Sequence, residues 1–175
     1  MVHQVVFLTP HEFKQRLKVS NLEGDMFSSS YGPLTLRVVE GFICSLAFSA
    51  LKPLDHWIYQ QPFRKISFGL RENELQNNQP QKLMLVGTPF QHRVWKQLLS
   101  IPIGSVVCYQ DIAASLGDRN KSRAVGSAVG ANPISWFVPC HRVLPKSGGV
   151  GNYHWGSEIK EKLLKGEGYV FKTNP

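Results

Sequence analysis

The chain has 175 residues, with a hydrophobic fraction of 42%, an aromatic fraction of 11% and a formal net charge of +8. This length suits one large domain or two small ones, and the composition excludes a disordered protein. No apolar run reaches the length of a membrane span, the N-terminus lacks a secretory signal, and three scattered cysteines indicate a reducing, cytoplasmic setting.

The positive charge is concentrated in the second half of the chain. Residues 1–86 hold nine Lys/Arg against seven Asp/Glu, whereas residues 87–175 hold eleven against five. A basic C-terminal half indicates a polyanionic partner, most simply nucleic acid. Ordinary solubility charge would produce the same numbers, so charge alone leaves both interpretations open.

The first half shows a helical pattern followed by a hairpin pattern. Apolar spacing over residues 10–19 predicts a short helix. Alternating apolar residues over 34–38 and 42–48, joined by Glu40-Gly41, predict two antiparallel strands with a tight turn. Cys44 occupies an apolar position of the second strand, so we interpret it as a core residue.

A break in the pattern separates two regions of the chain. The polar tract 72–81 predicts a loop, and residues 82–86 predict a short strand. Thr88 then suits a helix N-cap, and Pro89 suits the first helical position. The helix that follows has one apolar stripe, formed by Phe90, Val94, Trp95, Leu98 and Leu99.

Two short helices joined by a turn make a helix-turn-helix candidate. The first is predicted over 111–116, and the second over 121–130 after a turn capped by Asn120. Basic Lys121 and Arg123 stand at the start of the second helix, where such motifs contact DNA.

Small residues dominate the second of these helices: Ala124, Gly126, Ser127, Ala128, Gly130 and Ala131. Each interior glycine costs about 1 kcal/mol in helix stability, so the composition needs a reason. Tight packing on a neighbouring helix is one reason. Insertion into a DNA groove, with Arg123 projecting, is another, and the composition of the helix does not separate them.

Cys140 stands in the motif Pro139-Cys140-His141-Arg142-Val143. A free thiol is mostly protonated at neutral pH, and the thiolate is the nucleophile. His141 is the candidate base, and because adjacent residues usually point apart, a water relay or a strained turn is expected. Glu167, just beyond the Gly166 cap of the last predicted helix, is the candidate acid that orients the imidazole.

Other cysteine and metal chemistry is not indicated. Cys108 lies in an apolar run and is interpreted as a core residue. CxxC and HxxxH spacings are absent, so we predict no metal site and no cofactor. A cysteine hydrolase unrelated to DNA stays an alternative here, although it would require an oxyanion hole.

At this point the motifs resemble those of the O6-alkylguanine-DNA alkyltransferases. The pentapeptide 139–143 is similar to the active-site motif of that family. The resemblance covers residues 87 to about 168, whereas the first half resembles the family only in layout. Further similar segments, in order and spacing, are Gly87-Thr88-Pro89-Phe90-Gln91, Val94-Trp95, Ile101-Pro102, Gly104, Tyr109-Gln110, Ser122-Arg123-Ala124-Val125-Gly126, Asn132-Pro133 and Gly151-Asn152-Tyr153.

The resemblance implies a DNA-repair protein that is consumed by its reaction. Cys140 would accept the alkyl group as a thioether. His141 would relay the thiol proton through water, with Glu167 completing the network. Asn132 would be the hinge before the active-site loop, and Tyr109 would press on a phosphate, while its hydroxyl could protonate the leaving guanine. A base inside the stack is reachable only after it is flipped out.

The resemblance also implies the binding residues. Arg123 would enter the base stack and fill the gap left by the flipped guanine, in the minor groove. The residues expected on DNA are Arg123, Tyr109, Gln110, Lys121, Ser122 and Ala124. The residues expected around the base are Tyr153, Val143, His154 and Trp155.

The fold class implied is α/β (α+β) in two domains. Residues 1–86 would form a ribonuclease-H-like supporting domain with an antiparallel sheet. Residues 87–175 would form a winged helix-turn-helix-like, mostly helical domain that carries Cys140. The expected partner is double-stranded DNA containing O6-alkylguanine, with no obligate protein partner and a monomer as the default.

Departures from the family pattern limit these expectations. Some members bind zinc, but the N-terminal half here offers only Cys44 with His3, His11 and His56, so no zinc is expected. The bulky pair His154-Trp155 makes O6-methyl and small alkyl groups the expected substrates, with O4-methylthymine a minor one. An alkyl-damage sensor that binds without repair is the alternative, but such sensors lack the cysteine.

Overall fold

One six-stranded sheet is built from the first half of the chain. The computed structural model describes residues 3–48, 62–70, 72–76 and 79–171. The strands are β1 (Gln4–Leu8), β2 (Glu23–Ser29), β3 (Gly32–Val39), β4 (Phe42–Phe48), β5 (Arg64–Lys65) and β6 (Lys82–Val86). They lie in the order β1-β6-β4-β3-β2-β5.

The sheet is mixed, and this corrects the predicted antiparallel sheet. β2, β3 and β4 pair antiparallel, which confirms the hairpin around Glu40-Gly41. β6 pairs in parallel with both β1 and β4, and β5 pairs in parallel with β2. Parallel partners need long connections, so their pairing leaves no local trace in the sequence.

Two helices accompany the sheet in the described part of the first half. α1 (Pro10–Leu17) confirms the first predicted helix, and its N-cap Thr9 forms a capping box with Glu12. α2 (Glu72–Gln76) lies where a loop was predicted. Its Leu75 is fully buried, and Glu72 accepts a hydrogen bond from the backbone N–H of Ser30 (3.0 Å). A single buried leucine in a polar tract is too weak a signal to predict a helix.

Cys44 is a core residue, as predicted. It is fully buried in β4, and burial raises the pKa of its thiol to about 12. A thiol in this state is an inert apolar group rather than a nucleophile.

α3 (Pro89–Leu99) confirms the predicted helix and its start. Thr88 caps it, with a reciprocal hydrogen bond to Gln91. The indole Nε1 of Trp95 donates to the carbonyl of Ala128 (2.8 Å), which ties this helix to the second helix of the helix-turn-helix candidate. A Cβ on Gly87 would lie 2.5 Å from the Trp95 ring, so only glycine fits there.

The helix-turn-helix candidate consists of α4 (Tyr109–Ser115), a 3₁₀ turn (Arg119–Lys121) and α5 (Ser122–Gly130). Its turn is capped by Asp118, not by Asn120, because Asp118 Oδ1 accepts from the Asn120 N–H (3.0 Å). Cys108 is half-buried rather than a core residue. It precedes α4, and its N–H and thiol both donate to Asp111 Oδ2 (3.0 Å each).

The last part of the chain packs against both halves. β8 (Val143–Leu144) pairs with β7 (Val107–Cys108), and α6 (Ser157–Gly166) follows. Gly166 is the last residue of the helix and not its C-cap, which is Glu167, and Gly168 follows in the left-handed conformation (φ 83°). A Cβ on Gly166 would lie 2.7 Å from the Tyr31 hydroxyl, which explains the glycine there.

None of the helices in the described ranges is long and apolar enough to cross a bilayer.

Candidate active site around Cys140

A cavity of about 570 Å³ opens beside the end of α5, and Cys140 forms part of its wall. The thiol-bearing residue is only 5% exposed. The fold brings five other predicted site residues to the same cavity: Tyr109, Asn132, Tyr153, His154 and Trp155. A cavity of this size, lined mainly by apolar groups with a few polar ones, can hold a small organic ligand.

Cys140 begins a short 3₁₀ helix, Cys140–Arg142. Its Sγ accepts a hydrogen bond from Asn132 Nδ2 (3.1 Å) and lies 3.7 Å from the Tyr153 hydroxyl. Burial raises the pKa of the thiol, and the contacts with Asn132, Tyr153 and the Lys160 ammonium oppose that rise. The resting thiol is therefore protonated, and a base must take the proton when it reacts.

Asn132 connects the end of α5 to the loop that carries Cys140. Its Nδ2 also donates to the Val138 carbonyl (2.8 Å), and its Oδ1 accepts from the Ile134 N–H (3.0 Å). One buried amide thus binds the loop at three points. These contacts fit the hinge role that was expected for it.

His141 is fully buried, and one edge of its ring contacts Glu167. Its Nε2 lies 2.9 Å from Glu167 Oε1. Burial lowers the pKa of the imidazole, and Glu167 opposes the shift, so the ring is neutral at rest. Its Nδ1 has no hydrogen-bond partner among the described residues. A buried nitrogen in this state is suited to a bridging water.

Glu167 holds two partners at once. Arg142 donates to both of its carboxylate oxygens, from Nε (2.9 Å) and Nη2 (2.7 Å), in addition to the His141 contact. Burial alone would raise the pKa of Glu167, but hydrogen bonds from His141 and Arg142, together with the Arg142 charge, lower it to about 2. The carboxylate therefore stays ionised beside the imidazole.

Arg142 and Lys160 are site residues that the sequence reasoning missed. Arg142 Nη1 donates to the Ile101 carbonyl (2.6 Å). Lys160 is fully buried, and its Nζ donates to the Val143 carbonyl (2.7 Å). Burial lowers the pKa of Lys160 to about 8. A signal was present: Lys160 shares the apolar face of α6 with Leu163, three positions on.

Trp155 and His154 form one wall of the cavity. The Trp155 indole N–H donates to Ser135 Oγ (2.6 Å), and the two rings of the wall meet edge to face at 4.4 Å. Ser135, also in the cavity wall, was not predicted. Val143 was expected around the base, but its side chain is fully buried and does not form part of the cavity wall. It contributes its backbone carbonyl, which accepts the hydrogen bond from Lys160.

The predicted DNA-binding residues lie beside the cavity. Arg123 and Ala124 are exposed on α5, and Lys121 is exposed at the end of the 3₁₀ turn before it. A shallower groove of about 280 Å³ joins the cavity at Tyr109, with Lys146, which was not predicted, on its rim. This groove includes Gln110, Ser122 and Arg123. Burial raises the pKa of Tyr109, so its hydroxyl keeps its proton.

The glycines of α5 do not serve tight packing. A Cβ on Gly130 would meet nothing within 4 Å, and one on Gly126 would reach the Tyr109 ring only at 3.8 Å. Both glycines line the cavity. They leave its rim open, so tight packing on a neighbouring helix does not explain them.

Trp136 has a strained backbone four residues before Cys140. Its φ is 77°, in the left-handed region that a bulky residue rarely adopts. Such a conformation costs on the order of 1–3 kcal/mol and persists only where the surroundings impose it.

The part of the chain that the structure describes contains no group of three His, Cys, Asp or Glu side chains arranged for a metal ion. His56, one of the histidines weighed for zinc, lies outside the described residues, so the prediction of no zinc stays a prediction.

Comparisons with known proteins point to one family. Residues 89–169 match the family profile "6-O-methylguanine DNA methyltransferase, DNA binding domain". A methylated-DNA–protein-cysteine methyltransferase of Salmonella typhimurium is 52% identical over 84 residues, 48% of this chain and 49% of that protein. The chain spans about half the length of the curated relatives it matches.

The likeness to solved structures extends over most of the chain. The Mycobacterium tuberculosis O6-methylguanine methyltransferase is 33% identical with a TM-score of 0.73, covering 83% of this chain and 92% of that one. The M. tuberculosis protein in complex with DNA has a TM-score of 0.71 at the same identity and coverage.

Proposed function

The chain belongs to the methylated-DNA–protein-cysteine methyltransferase family, and we propose that it removes alkyl groups from O6 of guanine in double-stranded DNA. The acceptor is Cys140 of the same molecule. The observation that carries the proposal is the position of its Sγ at a base-sized cavity that adjoins a groove lined by Arg123 and Lys146. O4-methylthymine is a minor substrate in this proposal.

The reaction is a displacement at the alkyl carbon. The bond from that carbon to O6 breaks as its bond to Sγ forms, and the thiol proton leaves through a water to Nδ1 of His141. That nitrogen has no partner among the described residues, whereas Nε2 is held by Glu167. The Glu167 anion stabilises the imidazolium that results.

The leaving guanine must gain a proton as the bond to O6 breaks. The Tyr109 hydroxyl, kept protonated by burial, is the proposed donor. Tyr109 later recovers a proton from solvent or from His141. The net change is then a thiol and an O6-alkylguanine converted into a thioether and guanine.

The target base must leave the stack to reach Sγ, because Cys140 is only 5% exposed. Flipping costs a few kcal/mol, and least for a weakened pair such as one with O6-alkylguanine. Arg123 is proposed to fill the gap, with α5 in the minor groove. Lys121, Gln110, Ser122 and Ala124 are proposed contacts to the flanking strand.

Repair by transfer explains the site better than damage sensing does. A sensor needs the cavity and the basic helix but no thiol, and no histidine and glutamate behind it. Here Asn132 donates to Sγ, and the pair His141–Glu167 stands behind it. Since a thioether has no route back to a thiol, each molecule acts once and requires no cofactor. We propose a reducing, cytoplasmic setting, which free cysteines support, and a monomer as the default state.

A direct test uses a duplex with one O6-methylguanine. We expect one added methyl group on the peptide that contains Cys140, none on those containing Cys44 or Cys108, and repair that stops at one lesion per protein. Cys140→Ser should bind the duplex without repairing it. Turnover beyond one lesion, or full repair by Cys140→Ser, would contradict the proposal.

A further inference from the structure

The strained Trp136 is packed between two aromatic side chains of the N-terminal sheet. Tyr31, in the turn between β2 and β3, meets the indole edge to face at 4.7 Å and 86°. Phe48, at the end of β4, stacks on it at 6.3 Å and 21°. Trp136 lies between Asn132 and Cys140, so these rings hold the segment that delivers the thiol.

The backbone of the same segment is paired with β4. The Leu46 N–H donates to the Pro133 carbonyl (3.0 Å), and the Ser135 N–H donates to the Leu46 carbonyl (2.9 Å). The active-site loop thus continues the sheet as a short parallel bridge. This pairing ends just before Trp136, so the left-handed residue follows directly on the segment that the sheet holds and contacts both rings.

Phe48 also supports the cavity wall. Its ring meets the indole of Trp155 edge to face at 6.1 Å, and Trp155 in turn donates to Ser135. Trp155 and Ser135 both line the cavity that contains Cys140. One side chain of the N-terminal sheet, outside the cavity lining, therefore contacts both the loop that positions the thiol and the wall that limits its substrate.

We propose that Phe48 and Tyr31 are positioning residues, through which the N-terminal sheet sets the reactivity of Cys140 and the size of group it accepts. We call Tyr31, Phe48 and Trp136 together the aromatic clamp. The choice of O6-alkylguanine as substrate rests on the proposed function. The clamp should affect the reaction of Cys140 with any reagent that enters the cavity.

Loss of the Phe48 ring has two expected effects. Trp136 relaxes toward ordinary backbone angles and Cys140 shifts, which slows reaction with groups of every size. Misplacement of a reacting group by about 1 Å can lower a rate on the order of a hundredfold. Trp155 also loses its support, which widens the cavity for large groups. The rate ratio of large to small reagents should therefore rise.

The test compares Phe48→Leu with Phe13→Leu, which makes the same change at another fully buried position of the N-terminal half. Rates of Cys140 alkylation are measured with O6-methylguanine and O6-benzylguanine bases, each at the same interval below the protein's own Tm. Phe48→Leu should raise the benzyl-to-methyl ratio roughly tenfold, and Phe13→Leu should leave it unchanged. Equal ratios in the two variants would overturn the inference.

A second pair guards against a failure of Phe48→Leu to fold. Tyr31 is only half-buried, so Tyr31→Leu and Tyr31→Phe should both fold. Tyr31→Phe keeps the ring and should retain the wild-type rate of Cys140 alkylation, whereas Tyr31→Leu should lower that rate with both bases. No difference between the two would contradict a role for the ring.

The proposed function and the role of the aromatic clamp can be contradicted by separate results. If wild-type protein takes no methyl group from an O6-methylguanine duplex, the proposed function is wrong. The clamp is then tested with iodoacetamide and its bulkier N-benzyl derivative, read from the mass of the Cys140 peptide. Phe48→Leu should again raise the large-to-small ratio relative to Phe13→Leu, and an unchanged ratio would overturn the clamp alone.

Discussion

Replacing Glu167 by glutamine tests the network behind the thiol. The carboxylate accepts hydrogen bonds from Arg142 at 2.9 and 2.7 Å and lies 2.9 Å from His141 Nε2. Glutamine has nearly the same shape, but it carries no charge and turns an NH₂ toward one of these donors. Glu167→Gln therefore leaves the buried guanidinium of Arg142 without its counter-charge.

The magnitude follows from the pKa of Glu167. A fall from the ordinary value of 4.5 to about 2 corresponds to about 3 kcal/mol of stability at neutral pH. Breaking one side of a buried ion pair costs about 3–5 kcal/mol, which agrees in scale. For a chain of this size the expected fall in Tm is about 10 °C.

The pH dependence has a definite sign. Because the folded pKa of Glu167 lies below the unfolded value, its stabilisation is fully present above pH 4.5 and is lost as pH falls toward 2. Glu167→Gln has no such group to titrate. The gap in free energy of unfolding between the wild type and the variant should therefore narrow from about 3 kcal/mol at pH 5 to less than about 1 kcal/mol near pH 2.

Urea unfolding at pH 7, 5, 3.5 and 2.5 measures this gap. Glu161→Gln is the matched control, since Glu161 pairs with Lys165 on the exposed face of α6 and should change stability by less than about 1 kcal/mol. A gap that stays constant from pH 5 to pH 2.5 would refute the reasoning about Glu167. At neutral pH the variant should also transfer methyl groups more slowly, because its imidazolium lacks a counter-charge.

Three further substitutions separate the parts of the site. Arg123→Ala should slow repair of duplex DNA more than reaction with free O6-methylguanine, whereas Lys162→Ala, on the outer face of α6, should change neither; equal losses for both substrates would count against Arg123. Trp155→Ala should raise the rate with O6-benzylguanine relative to O6-methylguanine, and an unchanged ratio would mean that Trp155 does not limit size. Lys160→Met removes an ammonium whose pKa is about 8 and which favours the thiolate. The pH profile of Cys140 alkylation should therefore move to higher pH, and an unmoved profile would exclude that role.

Local signals predicted the second half of the chain well. Thr88 caps α3 as its position before Pro89 indicates, and the apolar stripe places Trp95 in the core. The errors were also local. Asp118 and Asn120 are both good caps, and only the backbone geometry shows that the aspartate does the capping. Cys108 precedes α4 because Asp111 accepts its N–H, a preference that an apolar run conceals.

Contacts between distant segments could not be predicted in the same way. Within the sequence 139–143, Arg142 has the character of an exposed charge. It can be buried because Glu167, from a distant segment, supplies the opposite charge. Lys160 shows as one charge on an apolar face, but its partner is the backbone carbonyl of Val143, which no side-chain pattern reveals. The contacts of Phe48 with Trp136 and Trp155 join segments far apart along the chain. Each of these depends on tertiary packing, and hydrophobic periodicity carries no information about it.

Arg142 has two opposite effects on the proposed reaction. It anchors Glu167 with two hydrogen bonds, which keeps the carboxylate in place beside His141. Its charge, however, lowers the pKa of His141 and so weakens the base. The proton must therefore be taken by an imidazole of low basicity from a thiol whose pKa burial has raised. This thiol and imidazole are therefore unreactive before a substrate binds. Transfer depends on the geometry of the bound base and not on a thiolate that is already present. That dependence protects Cys140 from stray alkylation before a lesion reaches it.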